Sequence, residues 1–348
     1  MGVAKSKDGK LYVIGGGNAR GPLDSVEMLD PAASSPQWTL LPAHLHTPRY
    51  ALAATVGSDG KIYAIGGIGN DFTILDTVEV YDPADASPHW TTLHAQLYSP
   101  RKGLAAVTGL DGKIYAIGGA GKYGLLDTVE VYDPTATLPR WTRLPITLVS
   151  GRQNFAAVVG PDGKIYAIGG CGARGKPLDS IEALDAGANQ WSLLPNTLPE
   201  TRYGHAAVVG PDGNIYVLGG RIGVTAPLRK KPADAVNDPL PPAPRDQLAF
   251  FNSGSVPTGR TRFDRPLLAA ASLDTAACFN PTAHDPAWQR LQPRLGTPRE
   301  RLGAVVDPDG KIWVIGGVDL TILPLNSSEI YDPKSSQETK ASHTPPSP

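Results

Sequence analysis

The chain has almost no cysteine, no excess charge of either sign and no long apolar run. Its two cysteines, Cys171 and Cys278, are too few for a disulfide framework and lack the spacing of a zinc site. Lys plus Arg number 32 and Asp plus Glu 33. That balance leaves no electrostatic footprint for nucleic acid or an anionic membrane. No run of 18 apolar residues exists, so no spanning helix is expected. Residues 1–8 hold no apolar core of a secretory signal, which makes a cytoplasmic location the expectation. Nucleophile motifs, phosphate-cradling loops and paired metal-ligand spacings are also missing, so no cofactor or metal is expected.

What the chain does have is repetition. Asp-Gly-Lys-Ile-Tyr-Ala-Ile-Gly-Gly occupies residues 59–67, 111–119 and 162–170, with variants at 8–16, 212–220 and 309–317. The second glycines stand at 16, 67, 119, 170, 220 and 317, separated by 51, 52, 51, 50 and 97 residues. Ten residues before the Asp lies an arginine: Arg49, Arg101, Arg152, Arg202 or Arg299. A Val-Glu-Val-Tyr-Asp-Pro tag follows the glycines at 78–83 and 129–134, with variants at 26–31 and 328–333. Trp38, Trp90, Trp141, Trp191 and Trp288 each precede the next arginine by eleven residues.

One unit reads as four short strands. The first is alanine-rich, over 52–56. An Asp-Gly hairpin leads to the second, over 61–65, because glycine accepts positive φ at no steric cost. That strand is apolar on both faces, so it is covered on both sides. The third, 77–81, stops at Asp82-Pro83, since proline cannot continue a ladder. The fourth is 89–93. With 39 glycines and 34 prolines beside 41% hydrophobic residues, the chain reads as many tight turns between buried strands.

These residues resemble the Kelch repeats, whose signature is a double glycine ending the second strand and spaced Tyr and Trp after it. The resemblance implies an all-β fold, a Kelch β-propeller of four-stranded antiparallel blades with the first strand innermost. It also implies that Tyr81, Tyr132, Tyr331, Trp90 and Trp141 fill the gaps between blades.

The step of 97 leaves two architectures. Residues 244–249 resemble 48–53, and 277–281 take the tag position. Seven blades with one degenerate repeat over 245–291, its inner strand at 248–252, is the expectation. The alternative is six blades with a long insertion after Gly220, against which stands the rarity of long structureless loops. A single domain over 1–348 is expected, with 221–265 as a degenerate or inserted Pro-rich basic segment. Residues 334–348 are expected to be a weakly structured tail.

Departures from the repeat carry specificity. Two loops vary, one after the double glycine and one where each arginine enters the inner strand. In Kelch propellers such loops resemble those that open on the ligand face around the channel mouth. The candidates are Tyr50, Lys102, Gln153, Asn154, Tyr203, His205, Glu300 and Arg301 from the arginine loops, with Lys122, Arg174 and Arg221 from the glycine loops. This mixed-charge, aromatic rim suits a peptide or a polyhydroxylated small molecule.

Each candidate has a plainer reading. The five arginines recur in every unit and read as structural, paired with Glu27, Glu79, Glu130, Glu182 or Glu329. The alternative is a convergent ring that holds an anion. His205 reads as packed, or as an acid–base group beside Glu300, Tyr203 and Lys102. A copper site like that of galactose oxidase needs convergent ligands, and only His205 lies near the mouth. The expected function is a non-enzymatic binding module, monomeric, for a protein or peptide ligand, acidic ones included. The alternative is a small-molecule, sugar-like binding protein or an enzyme resembling Kelch-type mutarotases or specifier proteins. No nucleic acid or membrane partner is expected.

Overall fold

A computed structural model of the chain describes residues 1–185, 190–222, 272–292, 294–319 and 324–334. The described residues belong to one compact unit, Met1–Gly223 with Ala270–Pro348. They form six antiparallel blade sheets and one small two-stranded hairpin, and within each blade the strands pair in the order in which they follow one another along the chain. Blade 1 comprises Gly2–Lys5, Leu11–Asn18, Gly21–Leu29 and Thr39–Leu40, and blade 2 Ala53–Val56, Ile62–Ile65, Val78–Tyr81 and Trp90–Thr92. Blade 3 comprises Ala105–Thr108, Ile114–Ile117, Thr128–Tyr132 and Trp141–Thr147, and blade 4 Ala156–Val159, Ile165–Ile168, Ile181–Leu184 and Trp191–Leu193. Blade 5 is built from Ala206–Val209, Ile215–Leu218, Ala276–Phe279 and Trp288–Arg290, and blade 6 from Gly303–Val306, Ile312–Ile315 and Ser328–Tyr331. Each inner strand packs on the next, and that of blade 6 packs on that of blade 1, so the ring closes.

The expectation of seven blades is thereby corrected to six. Ile215–Leu218 pairs directly with Ala276–Phe279, from Ile215 opposite Phe279 to Leu218 opposite Ala276. The tag at 277–281 therefore completes the fifth sheet instead of opening a seventh, and Trp288 closes that same sheet. The inner strand expected at 248–252, nearly all of the 221–265 segment and all but the first residue of the 334–348 tail lie outside the described residues.

Each residue of the repeated nonapeptide has a task. Asp59 accepts the Tyr63 hydroxyl at 2.7 Å and the Lys61 amide at 3.2 Å. Gly60 turns the hairpin at φ +86°. Ile62, Ala64 and Ile65 are fully buried. Gly66 lies under the next blade, where a Cβ would stand 2.5 Å from the Arg101 carbonyl, so a side chain there has no room. Gly67 donates its amide to that carbonyl at 2.9 Å. Blade 6 varies the scheme consistently. Trp313 replaces the tyrosine and donates its indole N–H to Asp307 at 2.8 Å. The positions equivalent to Asp307 in blades 2 to 5 are glycines, against which the tyrosine rings lie.

Apolar packing sits between blades. Trp90 and Tyr81 of blade 2 join Ile14 and Val26 of blade 1, and Trp141 and Tyr132 of blade 3 join Ile65 and Val78 of blade 2. Tyr81 and Trp90 rings stand 5.3 Å apart, as do Tyr132 and Trp141. Blade 6 meets blade 1 through Val305, Trp313 and Ile315 against Leu11 and Leu29.

Candidate functional site

The arginines are joints. Arg49 donates to the Gly66 and Thr77 carbonyls at 3.1 and 3.0 Å and to Glu79 at 2.6 Å, with both side chains fully buried. Glu79 also accepts the amides of His46 and Thr47, at 2.7 and 3.0 Å. The Arg49 carbonyl takes the Gly16 amide of the preceding blade. Arg101 with Glu130, Arg152 with Glu182 and Arg299 with Glu329 repeat the arrangement. Burial lowers the pKa of Arg49, Arg101 and Arg152, and the partner glutamate pulls each back up.

Blade 5 departs from this rule. Its third strand places Ala277 where other blades have glutamate, and Glu200 reaches Arg202 instead, at 2.8 Å. Burial pushes Arg202 down to about 10, Glu200 opposes the shift and Arg290 adds to it. Glu27, expected to pair with an arginine, shows no ion pair among the described residues, and burial raises its pKa. The arginines are therefore structural, and their guanidinium groups do not line the mouth.

The residues just after them do. Tyr50, Lys102, Gln153, Tyr203 and Glu300 each form one bridge with the residue following a double glycine: Ile68, Ala120, Cys171, Arg221 and Val318. Five blades thus present one equivalent position each. The next residues in the chain make a belt across the blades. Gly103 donates to the Ala51 carbonyl, Asn154 to Gly103, Gly204 to Asn154 and Arg301 to Gly204, at 2.8, 2.7, 2.7 and 2.5 Å. All five have φ between +52° and +62°. This belt was not foreseen. Its signal was Gly103, Asn154 and Gly204, residues that tolerate positive φ, each two after the arginine; Ala51 and Arg301 are the exceptions.

Charge at the mouth is concentrated between blades 5 and 6. Arg221 Nη1 lies 3.3 Å from Glu300 Oε1, and Arg301 Nε 4.0 Å from the same oxygen. Burial raises the pKa of Tyr203, with the two arginines opposing and Glu300 and Cys171 adding to the shift. Lys102, half-buried on blade 3, is held below the ordinary lysine value by desolvation.

The other predicted residues lie apart from this cluster. Lys122 stands at the tip of the hairpin Ala120–Gly121 and Gly124–Leu125, 5.5 Å from the ring centre of the exposed Tyr123. Arg174 tips a short 3-10 turn at φ +57°. His205 is 5% exposed and occupies the place of Leu52, Leu104, Phe155 and Leu302 beneath the mouth. Burial drives its pKa to about 3, assisted by Arg202 and Arg152. The described residues contain no cluster of three or more potential metal ligands and no helix long and apolar enough to cross a membrane.

A six-bladed ring with double-glycine second strands and arginine joints defines a class of repeat propeller, and comparison with known proteins agrees. Residues 3–221 match the model of the KLHDC2/KLHL20/DRC7 Kelch-repeats domain, and the chain belongs to the Kelch-repeat family. It is 30% identical over 182 residues to mouse Kelch-like protein 35, covering 52% of this chain and 29% of that protein. Human Kelch-like protein 33 is 33% identical over 154 residues, 43% of this chain and 27% of the relative. An F-box/kelch-repeat protein of Arabidopsis thaliana is 31% identical over 151 residues, 42% and 35% of the two chains. The chain thus spans about a third or less of these relatives' length. Among solved structures, that of YjhT superposes with a TM-score of 0.70 at 18% identity, covering 97% of this chain and 95% of the other, a likeness of fold.

Proposed function

We propose that this chain is a non-enzymatic, monomeric binding module that takes a protein or peptide segment on the loop face around the channel mouth. The observation that carries the reading is the set of equivalent mouth positions. One backbone arrangement recurs on five blades, yet the side chains are Tyr50, Lys102, Gln153, Tyr203 and Glu300. A scaffold held constant beneath a varied rim is how repeat folds build recognition. Lys102, Arg221 and Arg301 outnumber Glu300 there, which favours acidic segments. Two cavities among the described residues, of about 10 and 20 Å³, hold a water molecule at most. Neither is lined by a mouth residue. Relatives named Kelch-like proteins fit a protein-interaction role.

The test is a selection of displayed random peptides on the full chain, repeated with Lys102→Glu and Tyr203→Ala. Peptides that bind the native chain and lose binding to both variants are expected. Binders indifferent to both changes, or none, would defeat the reading.

A further inference from the structure

The mouth is not a uniform rim. Of its five equivalent positions, only that of Glu300 is buried; Tyr50, Lys102, Gln153 and Tyr203 are half-exposed. Of the five residues facing them, Ile68, Ala120, Cys171 and Val318 carry no charge and only Arg221 does. These two exceptions sit on adjacent blades and meet. The belt bond from Arg301 to Gly204 ties the same two blades together.

The pair is polarised. The Glu300 side chain is 3% exposed, whereas Arg221 is 28% and Arg301 44% exposed. The carboxylate therefore lies beneath and the two guanidinium groups face outward. An approaching ligand meets cation first. Glu300 Oε2 and Arg221 Nε have no hydrogen-bond partner among the described residues. A buried carboxylate with one oxygen unused is costly unless it holds a cation in place. Arg301 is held at φ +56°, a conformation that a long side chain rarely adopts. It shares that conformation with the other four belt residues, and its belt bond to Gly204 fixes it there.

We propose that the sector between blades 5 and 6 is an anion subsite that receives a carboxylate of an acidic peptide, and that Glu300 is its positioning residue. Arg221 and Arg301 supply the donors, and Glu300 acts through Arg221 by fixing the plane of its guanidinium. A planar fork with fixed orientation accepts a carboxylate by paired hydrogen bonds; a mobile one gains less. The inference rests on the peptide-binding reading above and adds the sector and the division of labour within it.

Simple electrostatics and positioning make opposite forecasts. Glu300→Gln removes a negative charge from an anion site, so charge alone would tighten binding. Loss of positioning weakens it. The probe is fluorescein-labelled hexaglutamate on the full chain, with hexalysine as control, read by anisotropy at two salt concentrations. The native chain is expected to bind hexaglutamate in preference to hexalysine. Glu300→Gln and Arg221→Gln are each expected to weaken it about tenfold, the worth of one charge-assisted hydrogen bond. In the double variant the effects should not add, because Glu300 has no role without Arg221. Equal or tighter binding by Glu300→Gln, or additive losses, would overturn the positioning role. If Glu300→Gln unfolds on melting, Arg221→Lys decides: it keeps the charge and loses the fork, and undiminished binding by it overturns the proposal. Should hexaglutamate show no preference while displayed peptides still bind through Lys102 and Tyr203, the anion subsite falls and the wider reading stands. If the displayed peptides fail as well, the wider reading falls with it.

Discussion

The two ends of the ring are built from one repeat under different rules. At the hairpin end six Asp-Gly turns form an unbroken circle. Lys7 lies against Gly60, Ser58 against Gly112, Leu110 against Gly163, Pro161 against Gly213, Pro211 against Gly310, and Pro308 back against Gly9. The contact residue varies in chemistry, but the turn does not. At the loop end the belt runs through five residues, Ala51 to Arg301, and the side chains above it differ in charge and size. One end is repeated because each turn must fit its neighbour. The other is free to vary because only its backbone is shared, and that freedom is where recognition can sit.

The largest effect should come from the joints that lie under the loop end. Glu130→Ala strips the fully buried Arg101 of its carboxylate and leaves the Tyr98 and Ser99 amides without acceptors. A loss of about 3–5 kcal/mol in denaturant unfolding is expected for a broken buried pair. A loss under about 1 kcal/mol would mean that the joint is solvated in solution. Blade 5 offers a sharper version. Glu200→Ala should destabilise the chain, and adding Ala277→Glu, which restores the carboxylate of the other blades, should recover most of the loss.

At the hairpin end, Gly60→Val forces a branched side chain to φ +86° beside Lys7. The expected destabilisation is up to about 3 kcal/mol, with peptide binding by the folded fraction unchanged. Weakened binding at full folding would couple the two ends and blur the contrast between them.

What the sequence disclosed follows the same division. The hairpin end was readable because every turn must satisfy one geometry: Asp-Gly marked all six, and the second strands of blades 2 to 6 fell within a residue of 61–65 and its equivalents, while that of blade 1 runs on to Asn18. The Arg–Glu pairs were readable for four blades because both partners recur at fixed spacing. Blade number was not. Blade 5 joins its second and third strands across the 221–272 interval, and the Pro-Arg-x-x-Leu-Ala pattern at 244–249 imitated the start of a further unit. Pairing of Ile215–Leu218 with Ala276–Phe279 is a long-range fact that no local motif encodes. The mouth was half readable. The variable positions named its residues, but burial separated Glu300 and His205 from Tyr203.

His205 marks the boundary between the ends' rules, a titratable group at a position filled elsewhere by leucine or phenylalanine. Its folded pKa of about 3 lies below the unfolded 6.5, so the unfolded chain binds more protons between these values. Its neutral form therefore lets the fold keep full stability above pH 6.5 and lose it as pH falls toward 3. By pH 5 the loss from this group alone is about 2 kcal/mol. His205→Phe, copying Phe155 of the preceding blade, should remove that part of the acid sensitivity. Parallel pH profiles of the two chains would show that His205 is solvated or paired.

The smallest effect on stability should fall at the mouth, and it gives the cleanest separation of site from scaffold. Lys102 is half-buried, with no ion pair among the described residues, and the Ala120 bridge that holds it uses backbone atoms. Lys102→Glu therefore removes no buried partner and opens no cavity. Its cost in unfolding free energy should stay within about 0.5 kcal/mol, the range of ordinary surface changes. Its effect on an acidic peptide should be far larger. A cation becomes an anion beside Arg221, Arg301 and Glu300, which among these four described residues turns an excess of two positive charges into balance. Affinity for acidic peptides should drop more steeply at low salt than at high, because screening already weakens the native attraction at high salt. A stability loss as large as that of Glu130→Ala would place Lys102 among the joints. An unchanged affinity at low salt would remove blade 3 from the binding surface and confine recognition to the blade 5–6 sector.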